Sequence, residues 1–350
     1  MSIKCEVKNM PRPVLCILTL GILCFGLEGR TSGEPITEGR ALSNGLIAFA
    51  DAPDQRAGPQ ATQYAQIYTI TPDGRNRKQL TTGERGNFFP AWSPSGEQLA
   101  FVSIRNQKHE IWIIDSTGKN ERFITSGLLP AWSPDGRQLA ITRPHANGRR
   151  HIWIIGVDGR GERQLTSEGL NHCPTWSPKG DKIAYWSGDE RGFGQVWVMR
   201  SDGTQKRQLT HPQKNEYTPD GSSANAPAWL FSEQIAYWAG IEHRYGQIWT
   251  MNPDGSNQKQ LTDEPAPASS DNPSFSPDGK KILFDTQRRK RPEIWVMNSD
   301  GSDERVLVSD VKVIPMRTSW QPVFSVESSN KPDSSEGLQP DLICTLATHK

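Results

Sequence analysis

One aromatic dipeptide recurs six times in this chain at nearly constant phase, and that period limits the fold more than any other feature. Ile67-Tyr68, Ile111-Trp112, Ile152-Trp153, Val196-Trp197, Ile248-Trp249 and Ile294-Trp295 stand 44, 41, 44, 52 and 46 residues apart. Each is followed by a tight turn and then by a segment close to Pro-x-Trp-Ser-Pro. A repeat of about 40–45 residues made of short strands describes units that cannot bury their faces singly and must stack as the blades of a β-propeller.

Residues 130–167 show the layout of one unit. Pro130-Ala131-Trp132-Ser133 reads as a short strand, and Pro134-Asp135-Gly136 as a turn in which proline presets φ and glycine accepts positive φ. Residues 138–142 make a second strand, residues 152–155 a third, Asp158-Gly159 another turn, and residues 163–166 a fourth. The 12 tryptophans fall inside this pattern. Five lie in first strands (Trp92, Trp132, Trp176, Trp229, Trp320), five in third strands (Trp112, Trp153, Trp197, Trp249, Trp295), and Trp186 and Trp238 close second strands. A tryptophan buries about 150–250 Å², so both sets of five are expected to wedge neighbouring blades apart. The residue before the first-strand aromatic is small in every unit (Ala91, Ala131, Thr175, Ala228, Ser274, Ser319), as a crowded axis requires. Five of the six units place a proline one residue earlier, which suits an edge strand facing a central channel.

The chain's first strand, from Gly45, matches a second strand of the repeat, and its last, ending at Phe324, matches a first strand. The predicted fold is therefore all-β: a six-bladed propeller of four-stranded antiparallel blades, closed where N- and C-terminal strands share one blade and leave no edge unpaired. The expected division is a signal peptide over 1–29, a linker over 30–44, the propeller over 45–324 and a disordered tail over 325–350.

Ser276-Pro277-Asp278-Gly279 and Ile294-Trp295-Val296-Met297-Asn298-Ser299-Asp300-Gly301 resemble the repeat of TolB-type propellers, found in many bacterial envelope proteins. The likeness covers about residues 45–324 and implies the fold; its motif residues are turn formers and core, so it says little about activity. TolB also carries an N-terminal α/β domain, which the short segment ahead of the first strand leaves no room for, and the resemblance carries over none of that domain's partners.

Lys4, Lys8 and Arg12 precede an apolar stretch, Val14 to Leu27, too short to span a bilayer core of ~30 Å as a typical helix. This layout predicts export to the periplasm or beyond, with no stable membrane span after cleavage, against the alternative of an uncleaved anchor. Three of the five cysteines lie in that leader, leaving Cys173 and Cys344, which make no disulfide framework. A formal net charge of +1 argues against nucleic acid as a main partner.

Turns joining strands one to two and three to four are tight and uniform, whereas connections from strand two to three and from blade to blade are long and dissimilar. Antiparallel topology puts the second kind on one face, where a rigid scaffold presents variable loops for recognition. Candidate binding residues on this variable face are Tyr64, Arg149, Phe193, Tyr245, Arg289 and Arg291. Arg143, Arg150 and Arg288 add to its basic character. Tyr64-Ala65-Gln66, Phe193-Gly194-Gln195 and Tyr245-Gly246-Gln247 share one phase, and serve either as a rim for peptide or sugar or as a recurring turn solution.

No catalytic or metal-binding residue is assigned. His109, His145, His151, His172, His211 and His243 share the variable face, but at unrelated phases and without metal-ligand spacing. No cofactor is expected, with a channel-bound cation such as calcium as an open alternative. The sequence thus reads as an exported, monomeric, non-enzymatic propeller that binds a protein or peptide of the cell envelope. The competing reading is a polysaccharide lyase or glycoside hydrolase acting at the channel mouth. A propeller gating a peptidase, as in prolyl oligopeptidases, fares worst because no hydrolase domain follows residue 324.

Overall fold

The computed structural model describes residues 42–52, 61–145, 147–189, 193–211, 223–229, 233–241, 244–265, 268–286, 288, 291–312 and 317–324. The expected leader and tail, and Arg289 and His243, lie outside them. Its strands, β1 to β24, form six four-stranded antiparallel sheets. Blades 2 to 6 occupy residues 87–126, 128–164, 170–208, 223–260 and 270–308. Blade 1 has the order β24-β1-β2-β3, so that the last strand, β24 (Ser319–Phe324), pairs with the first, β1 (Leu42–Asp51). β1 opens at Leu42, ahead of the Gly45 expected to begin the propeller. The predicted shared blade is thus present, with Ile47 opposite Trp320 and Ala48 opposite Ser319.

The innermost strands are β4 (Asn87–Trp92), β8 (Leu128–Trp132), β12 (Leu170–Trp176), β16 (Ser223–Trp229), β20 (Ser270–Phe275) and β24. In β4, β8, β12, β16 and β20 the register breaks just before the small residue. At these breaks Phe89, Leu129, Cys173, Ala226 and Asn272 take φ of 49 to 55°, and Arg317 takes 93° at the matching place before β24. A left-handed non-glycine residue costs of order 1–3 kcal/mol, and this ring repeats the cost at every blade. The bulge it creates bends each innermost strand and re-aims side chains, as bulges at barrel rims do.

Six apolar clusters fill the six junctions between neighbouring blades. One joins Ile67 and Leu80 of blade 1 to Trp92 and Leu99 of blade 2; another joins Val296 and Val308 of blade 6 to Phe49 and Trp320 of blade 1. Second strands are buried on both faces because each blade is covered on two sides, and Leu99 to Val102 are fully enclosed. The tryptophans divide unequally. Trp92, Trp132, Trp176 and Trp320 are 6–8% exposed and act as wedges, and Trp132 and Trp176 donate Nε1–H to the carbonyls of Ala91 (2.9 Å) and Ala131 (3.2 Å) in the preceding blade. The third-strand set, Trp112, Trp153, Trp197, Trp249 and Trp295, is only half-buried, because that strand lies nearer the outer edge of its blade. The wedge role expected of both sets belongs chiefly to the first.

Latches at the outer rim repeat from blade to blade. Arg122 donates to Val157 O, Arg163 to Asp202 O, Arg207 to Asp254 O and Lys259 to Asp300 O, each reaching the Asp-Gly turn of the next blade. The glycine of that turn is needed for close approach: a Cβ on Gly255 would stand 2.8 Å from Leu209 O, and one on Gly74 would stand 2.8 Å from Leu307 O. The second contact spans the seam between blades 6 and 1, which is thereby built like the other junctions.

Candidate functional site

The tight-turn face owes its uniformity to short polar side chains. Ser133 Oγ donates to Asp135 Oδ1 and accepts from Gln138 N, and Ser276 repeats this with Asp278 and Lys281. In the second kind of turn, hydrogen bonds from Thr or Ser side chains and from backbone N–H hold Asp202, Asp254 and Asp300 below the usual carboxylate range. On the axis at this end lies a cavity of about 230 Å³. One aromatic from every blade lines it (Trp92, Trp132, Trp176, Trp229, Phe275, Trp320), together with Pro94, Pro134, Pro178, Pro277, Pro322 and the small Ala131, Thr175 and Ser319. The buried Nε1–H groups of Trp92, Trp229 and Trp320 have no acceptor among the described residues.

On the opposite face, arginines expected to form a basic patch are engaged within their blades. Arg143 lies 4.8 Å over the ring of Trp153, bonds Thr125 Oγ1 at 2.7 Å and pairs with Glu162. Arg288 lies 4.3 Å over Trp295 and pairs with both Glu264 and Glu304 at 2.5 Å. Arg105 does the same over Trp112, with Glu121. In blade 1 the charges are exchanged: Arg77, ahead of the fourth strand, stacks on Tyr68 and pairs with Asp51 at the end of the second. Arginine over an aromatic face with a carboxylate partner is a packing clamp, so Arg143 and Arg288 are withdrawn from any free patch.

The glutamines of the aromatic-x-Gln motif are likewise consumed. Gln66 Oε1 accepts from Thr81 Oγ1 at 2.9 Å, and Gln195 and Gln247 accept from Thr210 and Thr262. The same threonines accept the backbone N–H of Ile67, Val196 and Ile248. Through its glutamine the motif ties the third strand to the chain leaving its blade. Its central residue is glycine in blades 4 and 5 because a second-strand tryptophan lies over it: a Cβ on Gly194 would come 2.3 Å from Trp186, and one on Gly246 would overlap Trp238. Blade 1 has Ala50 beneath the matching strand and tolerates Ala65.

The candidate binding residues stand on separate blades of the variable face: Tyr64 on blade 1, Arg149 on blade 3, Phe193 on blade 4, Tyr245 on blade 5 and Arg291 on blade 6. Tyr64, Arg149 and Phe193 are half-buried and Arg291 is exposed; the side chain of Tyr245 lies outside the described residues, as does Arg289. None of the described candidates lines the axial cavity. Of the histidines, His109, His145 and His211 are exposed, His151 is buried 6.1 Å from His145 between ring centroids, and His172 stacks on Trp186 at 4.1 Å. Burial pushes the His151 pKa down, helped by the positive charge of His145 and Arg149. Among the described residues no three His, Cys, Asp or Glu side chains are placed to hold a metal ion.

Two groupings escaped the sequence reading. Asp271 and Asp285 face one another across β20 and the second strand of blade 6. Burial pushes Asp271 up to about 6 and also lifts Asp285 well above the usual carboxylate range, with the Asp271 charge adding to the second shift. Arg317, on the axis before β24, is the other. Its sequence signal is the break in pattern: where five blades have a proline after the left-handed residue, blade 1 has Arg317-Thr318.

The family model of the TolB β-propeller domain matches residues 34–324. The Tol-Pal system protein TolB of Thioalkalivibrio sulfidiphilus is 29% identical over 93 residues, 27% of this chain and 20% of its own length. With TolB of Gluconobacter oxydans the matched stretch is 15% of the relative's length, so the curated relatives are matched over a fifth or less of theirs. Among solved structures, TolB from Acinetobacter baumannii superposes with a TM-score of 0.65 at 22% identity, over 79% of this chain and 66% of that one. Oligogalacturonate lyase from Vibrio parahaemolyticus superposes with a TM-score of 0.50 at 14% identity, over 80% and 87%. At these identities the likenesses speak for the fold alone.

Proposed function

The chain belongs to the TolB β-propeller domain family, and from that membership we propose that it is an exported, non-catalytic propeller that binds a protein or peptide of the cell envelope. The observation that carries this reading is the axial cavity, to which all six blades contribute an aromatic or a proline. Aromatic and proline walls suit an extended peptide, since they supply flat apolar area at little cost in side-chain entropy. The unpaired indole donors of Trp92, Trp229 and Trp320 complement the carbonyls of such a chain. The names of the curated relatives place those proteins in the Tol-Pal system, which supports an envelope partner here. Among the described residues no helix is long and apolar enough to cross a membrane.

The variable face is a second surface for the same partner class, favoured by the exposed Arg291 and by the aromatics Tyr64 and Phe193, with Tyr245, Arg149 and Arg289 as the remaining sequence candidates. Affinity capture from a cell-envelope extract separates the two. Thr175→Arg, which places a long charged side chain in the cavity, is expected to abolish capture of the envelope protein. Phe193→Ala with Tyr245→Ala, or Arg289→Glu with Arg291→Glu, is expected to leave it intact. Loss by the rim variants alone moves the site to the variable face, and failure of the wild type to capture any envelope protein overturns the binding reading. The lyase reading has a separate check: turnover of oligogalacturonate by the wild type would replace the proposal.

A further inference from the structure

Arg317 sits in the axial channel at the position occupied by Phe89, Leu129, Cys173, Ala226 and Asn272 in the other blades. It is the one charged side chain of that ring. Its Nη2 reaches Pro174 O at 3.5 Å, and Pro174 belongs to blade 4, which faces blade 1 across the six-bladed ring. The guanidinium therefore crosses the axis, meeting backbone one residue from Thr175 on the wall of the axial cavity. Its Nη1 is buried with no hydrogen-bond partner among the described residues, and the neighbouring Thr318, 2% exposed, has an equally unpartnered hydroxyl. The five other blades put a buried proline where Thr318 stands.

A guanidinium keeps its proton at any ordinary pH, and Arg317, half-buried as a residue, holds that charge with its Nη1 enclosed and unpaired, an unfavourable placement for a cation. Burial works against the charge of Arg317, and among the described residues no carboxylate acts on it in compensation. The acids of blade 6 are governed first by burial, with Ser269 acting on Asp271 and with the Asp271 charge and Asn272 acting on Asp285, and without a contribution from Arg317. The Cys173 thiol beside it is itself pushed up by burial and supplies no counter-charge near neutral pH. The left-handed backbone at Arg317 adds strain to an already unfavourable placement.

We propose that Arg317 is the anchor of an oxyanion site in the axial channel, which takes a carboxylate or phosphate group between blades 1 and 4. A guanidinium offers planar paired donors matched to either group, and Phe89, Leu129 and Ala226 in the ring around it strengthen the attraction by lowering the local dielectric. The site requires no protein partner, so a small anion is a sufficient probe.

The test is isothermal titration of the full chain with inorganic phosphate and, separately, with malonate, repeated on Arg317→Met and Thr318→Val. Saturable binding of either anion by the wild type, weakened at least tenfold in Arg317→Met, is the expected result, and the anion that binds more tightly identifies the group. Thermal melts in each anion supply a second readout: the wild type should rise more than Arg317→Met, because specific binding stabilises by mass action whereas general salt effects raise both equally. No saturable binding of either anion, or equal binding by wild type and Arg317→Met, overturns the proposal. If Arg317→Met does not fold, Arg317→Lys keeps the charge and loses the fork; undiminished affinity in that variant overturns it as well.

Discussion

The unequal burial of the tryptophans sets an order of mutational costs. Trp176 is 8% exposed and bonded to Ala131 O, so Trp176→Ala is expected to cost ~3–5 kcal/mol, the usual toll of deleting a large buried aromatic. Trp153 is half-buried and roofed by Arg143. With only part of its ~150–250 Å² withdrawn from water at ~25 cal/mol per Å², Trp153→Ala should cost about 2 kcal/mol. Urea melts check this, and equal costs would contradict the packing. The Asp271–Asp285 pair gives a pH signature of definite sign. A carboxyl whose folded pKa is raised binds its proton more tightly in the native state, so stability falls as pH rises from the unfolded value near 4 through about 6. Asp285→Asn should flatten that fall and raise stability at pH 7, because the buried carboxyl no longer has to ionise; a melting temperature that responds to pH identically in wild type and variant would refute it. At this scale the sequence showed residue types and hid their use. Gln66 and Gln195 looked like binding groups because a glutamine bonded to a threonine just past the neighbouring strand has the same one-dimensional signature as a free one.

Each strand's place was legible because period and turn chemistry agreed in six copies, and local agreement repeated in phase leaves few alternatives. Ties between elements were not, since they depend on which long side chain folds back onto which ring. The clamps show this. Arg143 with Glu162 and Arg77 with Asp51 do the same work with charges exchanged, so neither charge pattern nor position marks the motif. Blade 1 is a natural reversal experiment for blade 3. Arg143→Asp alone should lose the stacking on Trp153 and set two carboxylates together, costing about 1–2 kcal/mol. Adding Glu162→Arg should restore most of it by rebuilding the arrangement of blade 1. A double-mutant cycle measures the coupling, and a double variant no better than Arg143→Asp would show that the clamp is not interchangeable.

Closure decides whether six blades make one cooperative unit. The seam is bound by more than strand pairing: Trp92 N donates to Ser319 Oγ at 3.0 Å, Gln321 accepts from Leu46 N and donates to Gly96 O, and Trp320 fills the cluster between blades 6 and 1. β24 thus contacts blade 2 as well as β1, and holds the innermost position of blade 1 that completes the axial ring. Deleting residues 314–350 removes that strand, exposes the edge of β1, opens the cavity and takes away Arg317. The loss of Trp320 burial alone is worth ~3–5 kcal/mol, a large share of the ~5–15 kcal/mol that holds a domain folded, and the bared edge invites association. Deleting only residues 328–350 leaves every described contact in place. The longer deletion is expected to aggregate or melt well below the wild type, and the shorter one to match it in melting temperature and in size-exclusion profile. Equal behaviour of the two deletions would mean that the ring holds without its last strand.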